Sequence, residues 1–70
     1  MSITLPTGIN SKVRVQSADL DGFRYLCWRG FHPERVEFGG WTTMRRDFHD
    51  GVFACHAEPP PPRFAIEVIG

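Results

Sequence analysis

The chain has no net charge: its eight Lys+Arg are matched by eight Asp+Glu. It therefore lacks the excess positive field that dominates strong binding to a phosphate backbone or an anionic membrane. Lysine is nearly missing, since seven of the eight basic residues are arginine, the side chain suited to planar, stacked and bidentate contacts. No apolar run approaches the roughly 20 residues of a membrane span. Met1 is followed by Ser-Ile-Thr-Leu-Pro, with no basic stretch leading into an apolar one, so the expected compartment is the cytoplasm. There, Cys27 and Cys55 are expected as reduced thiols packed as small hydrophobes on neighbouring strands. The glycines at 30, 39, 40 and 51 do not form a G-x-G-x-x-G or Walker pattern, which leaves nucleotide binding without support and no cofactor indicated.

What is present is apolar and aromatic. Hydrophobic residues make up 41% of the 70 and aromatics 13%, enough for one small domain over residues 1–70 and against a disordered chain. Turn residues punctuate it at Pro6-Thr7-Gly8, Asp21-Gly22, Gly39-Gly40, Asp50-Gly51 and Pro59 to Pro62. Between them the pattern predicts short strands. Lys12–Gln16 alternates with Val13 and Val15 on one face and forms a first hairpin with Phe23–Phe31 across a turn at Asp19, Asp21 and Gly22. Arg35–Phe38 and Trp41–Met44 form a second hairpin, because the Gly39-Gly40 centre tolerates positive φ at both positions. Gly51–Ala57 and Arg63–Ile69 supply two more strands, and Ile3–Leu5 a further candidate.

The expected fold is thus all-β: a small five-stranded antiparallel sheet or barrel of the SH3-like or OB-like sort, since curling covers nine aromatics better than a flat sheet does. A short helix over Met44–His49, capped by Thr43 and closed by Gly51, is the one helical expectation, and docking it gives the alternative, an α+β arrangement. The four prolines predict a stiff polyproline connector into the last strand.

Four site chemistries compete. Arginine interleaved with aromatics is the composition of an interface hot spot. On this basis the expected function is a non-catalytic protein-interaction module, adaptor or inhibitor that binds a larger protein through Tyr25, Trp28, Arg29, Phe31, Trp41, Arg45 and Arg46. Open strand edges add a homodimer as a further expectation. The same residues with Arg24 and Arg35 could stack single-stranded nucleic acid, but interspersed acids at Asp19, Asp21, Glu34, Glu37, Asp47 and Asp50 would dilute a positive groove. Cys27, His32, His49, Cys55 and His56 supply enough ligands for a structural zinc site, yet no tight Cys-x2-4-Cys knuckle is present. A Cys-His nucleophile pair would need a pocket that so small a core can scarcely spare.

Overall fold

The computed structural model describes residues 4–69. Four strands, β1 (Lys12–Gln16), β2 (Phe31–Glu37), β3 (Trp41–Arg46) and β4 (Glu67–Val68), form one antiparallel sheet in the order β2-β3-β1-β4, and α1 (Leu20–Trp28) connects β1 to β2. The sheet is open, with β2 and β4 at its edges, so the five-stranded barrel is not formed.

Alternation in β1 buries Val13 and Val15 and turns Lys12, Arg14 and Gln16 to the other face. Pairing carries this division into β3, where Val13 lies opposite Met44 and Val15 opposite Thr42. Helix α1 covers the apolar face. Val13, Val15, Phe31 and Met44 pack with Tyr25 and Leu26 of the helix and with Leu5.

The segment read as a strand over Phe23–Phe31 is instead this helix. Residues apolar on both strand parities are what a helix shows when its buried positions fall three and four apart, and Gly22, Tyr25 and Leu26 are the buried ones. Asp19-Leu20-Asp21-Gly22 is its start rather than a hairpin turn: the Asp19 carboxylate accepts from the Gly22 N–H at 2.9 Å, the N-cap geometry that satisfies one free donor of the first turn. Gly22 also permits a close approach, since a Cβ there would lie 2.9 Å from Val15 Cγ2. β1 therefore pairs with β3 and β4, not with residues 23–31.

The hairpin of β2 and β3 forms, with both Gly39 (φ 89°) and Gly40 (φ 82°) in the expected positive region, but Glu37 rather than Phe38 lies opposite Trp41, so the loop is Phe38-Gly39-Gly40 and Phe38 leaves the strand. The expected helix over Met44–His49 does not form, because Met44 and Arg46 are claimed by the ladder and the core. Gly51–Ala57 is a series of turns rather than a strand, and of Arg63–Ile69 only Glu67–Val68 pairs. Leu5 is buried but outside any strand, while Ile3 lies outside the described residues.

Two polar residues with no exposed surface hold the irregular segments to this frame. Asp19 Oδ2 accepts from the backbone N–H groups of Arg63 (2.9 Å) and Phe64 (3.1 Å), tying the chain after the prolines to the start of α1. The Arg46 guanidinium donates to the carbonyls of Pro6 (2.8 Å), Arg29 (2.6 Å) and Phe48 (2.9 Å) and lies 4.4 Å from the Phe31 ring centre. Arginine suits such a hub because its five donors fan out in a plane that also stacks on an aromatic face.

Candidate functional site

The seven residues expected to form one patch occupy three places. Tyr25, Trp28 and Arg29 gather near the C-terminal end of α1. Arg29 donates through Nε and Nη2 to the two Asp50 carboxylate oxygens (2.6 and 2.8 Å) and through Nη1 to the Tyr25 hydroxyl (2.8 Å). Trp28 Nε1 donates to the His56 carbonyl at 3.1 Å. These contacts use the polar groups to fasten the 47–58 loop onto the helix. The Asp50 side chain holds Arg29 more firmly protonated than usual, and Arg29 in turn holds the Asp50 carboxyl below its usual range. Both stay ionised near neutrality, so neither has a proton to exchange there.

Phe31 and Arg46 belong to the interior, at 3% and 0% exposure. Trp41 and Arg45 lie on the open face of the sheet, where Arg14 stacks 5.0 Å from the Trp41 ring centre. That face is a closed mosaic of opposite charges. Lys12 and Arg45 meet Glu34 (3.2 and 3.6 Å), Arg35 meets Glu37 (2.9 Å), Arg14 meets Glu37 and Glu67, and Arg45 meets Asp47 (3.4 Å). The Glu67 contact raises the Arg14 pKa, and Arg35 is the main cause lowering that of Glu37.

Among the described residues, no group of three or more His, Cys, Asp or Glu side chains is placed to hold a metal ion. Cys27 sits half-buried on α1 and Cys55 is exposed in a turn; both thiols are free, which corrects the expectation of neighbouring core strands. A cleft of about 450 Å³ opens between the N-terminal segment and the proline run, lined by Leu5, Pro61, Pro62, Phe64 and Ile66 with Thr4 and Ala65.

The feature that sequence reasoning missed is at the far end of the β2–β3 hairpin. Val36 is 76% exposed and Phe38 is completely so. The strand pattern placed Phe38 in β2 as one more aromatic to bury. Its position directly before Gly39-Gly40 was the available signal, because a residue in a hairpin loop lies outside the ladder and has no cross-strand side chain to cover it. Comparison with protein-family models, with curated proteins and with solved structures finds no match to this chain.

Proposed function

We propose that this chain is a small protein-interaction module, acting as an adaptor or inhibitor without catalysis of its own, and that it docks on a larger protein by inserting the tip of its β2–β3 hairpin. The observation that carries this reading is the full exposure of the Phe38 ring beside Val36, in a β2–β3 loop that contains two positive-φ glycines. A large aromatic held in water on an ordered hairpin is a ready hot-spot anchor, and the flanking Arg35 and Glu37 offer polar contacts at the rim of a receiving pocket. The charge mosaic on the sheet speaks against the nucleic-acid alternative, because arginines committed to neighbouring carboxylates contribute little counterion release.

The test is capture from nuclease-treated lysate with immobilised wild type and Phe38→Ser. Loss of a stoichiometric protein partner by the variant, with an unchanged melting curve, is the expected result; a purified partner should bind the variant about thirtyfold more weakly. A partner retained at full strength removes the hairpin tip from the site. Partners that disappear with nuclease replace the reading with nucleic-acid binding.

A further inference from the structure

The free edge of β2 is its own complement. β2 is the outermost strand, and Pro33 through Val36 are exposed along it. Pro33 has no N–H to donate, and the register shift between Pro33 and Arg35 interrupts the ladder, so regular pairing on this edge starts after the bulge and ends at the Gly39-Gly40 turn. What remains is Arg35-Val36-Glu37, a basic, an apolar and an acidic residue in a row.

We propose that a second copy of this chain pairs with this edge, antiparallel and two-fold symmetric, with Val36 opposite Val36 of the second copy. In a symmetric antiparallel pair, directly opposed residues share a face, so one residue must face its own copy at the axis. Centring on Arg35 sets two guanidinium groups against each other. Centring on Glu37 opposes two carboxylates. Centring on Glu34 opposes two carboxylates again and puts Arg35 across from a proline that cannot donate. Of these four registers only the one centred on Val36 avoids like charges; it also places Arg35 opposite Glu37 twice and covers a valine that is 76% exposed in the single chain. Opposite charges directly across a ladder stabilise it and like charges destabilise it. The edge carbonyl and amide groups gain partners in the same step. This inference is separate from the docking of Phe38 on a larger protein: it concerns the strand edge, and its readout is mass rather than capture.

The experiment is sedimentation equilibrium of the purified chain over roughly 5 to 500 μM, a range that brackets a micromolar dissociation constant. The wild type is expected to rise toward twice the monomer mass. Arg35→Glu alone and Glu37→Arg alone should each weaken dimerisation about tenfold, because each creates like-charge oppositions at the two-fold. An equimolar mixture of these two variants should recover dimer, since every opposition in the mixed pair is then attractive. Circular dichroism checks that the variants are folded. As a second measurement, Val36→Cys in a Cys55→Ser background should form an intermolecular disulfide on air oxidation, whereas Arg24→Cys on the exposed side of α1 in the same background should not. A wild type that stays monomeric throughout, charge variants that dimerise as well as it does, or cross-linking at Arg24→Cys equal to that at Val36→Cys would each overturn the proposal.

Discussion

The carboxylate of Asp19 accepts a hydrogen bond from the backbone N–H of Phe64, 45 residues further along the chain, while capping the first turn of α1. One side chain thus both starts the helix and positions the segment after the prolines. The Gly22 bond is buried and the Arg63 and Phe64 bonds are partly so, so removing the carboxylate leaves three backbone donors without their acceptor.

Asp19→Ala should therefore cost about 3 kcal/mol, combining a lost N-cap with two amides left without an acceptor. In a domain of this size that is most of the available stability. Asp19→Asn is the sharper test: it keeps one carbonyl oxygen for Gly22 but turns an amide group toward the Arg63 and Phe64 N–H donors, and about 2 kcal/mol should be lost. Urea unfolding followed by circular dichroism measures both, and an asparagine variant as stable as wild type would refute the assigned role.

Arg46 should tolerate no substitute. Arg46→Met fills the volume but leaves the Pro6, Arg29 and Phe48 carbonyls without their donor, and Arg46→Lys cannot fork to all three. Each should lower stability by about 2–4 kcal/mol. Gly30 tests the same junction from the backbone side. Its φ is 101°, and a Cβ there would lie 2.6 Å from the Phe48 carbonyl oxygen and 2.9 Å from Arg46 Nη1. Gly30→Ala should destabilise by at least about 2 kcal/mol. Equal melting temperatures for Gly30→Ala and wild type would mean that this junction relaxes freely.

The legible parts of the fold were those where a local rule and the tertiary context agree. Alternation in Lys12–Gln16 and the glycine pair between Glu37 and Trp41 each identify a structure that the sheet then uses. Helix α1 was misread because Asp21 and Gly22 score as turn residues and the aromatics that follow score as strand. The cap at Asp19 and the 22, 25, 26 burial spacing decide otherwise. Arg46 was expected on the surface as part of an aromatic and arginine patch, and nothing local shows that the Pro6 and Arg29 carbonyls, 40 and 17 residues away, converge on it beside that of Phe48. The candidate site was legible in kind but not in place. An aromatic and arginine surface was expected, and the most exposed aromatic, Phe38, lies outside the seven residues named for it.

The two thiols should separate cleanly in chemical labelling. Burial raises the Cys27 thiol pKa above its ordinary value and restricts access to it, while Cys55 is exposed. At neutral pH one equivalent of a maleimide should react rapidly and the second at least about tenfold more slowly, since thiolate fraction and access both limit the rate. Cys55→Ser should delete the fast phase alone, read by mass spectrometry over time. Equal rates at both positions would contradict the packing of Cys27 on α1.

The Arg29–Asp50 pair predicts a specific acid dependence. Asp50 has its folded-state pKa depressed, mainly by the hydrogen bonds from Arg29, so the folded form binds its proton less readily than the unfolded chain. Stability from this source is complete above the unfolded value of about 3.9 and is lost as pH falls through the lower, folded value. Wild type should then exceed Asp50→Asn by about 1 kcal/mol at pH 7, a modest figure because the Asp50 side chain keeps a third of its surface exposed. The gap should hold unchanged between pH 7 and pH 5 and shrink only below about pH 4. Paired thermal melts of the two proteins at pH 7, 5 and 2.5 measure it. A gap that narrows between pH 7 and pH 5 would mean that another group carries the dependence, and one that persists unchanged to pH 2.5 would mean that the Arg29 contact leaves Asp50 unshifted.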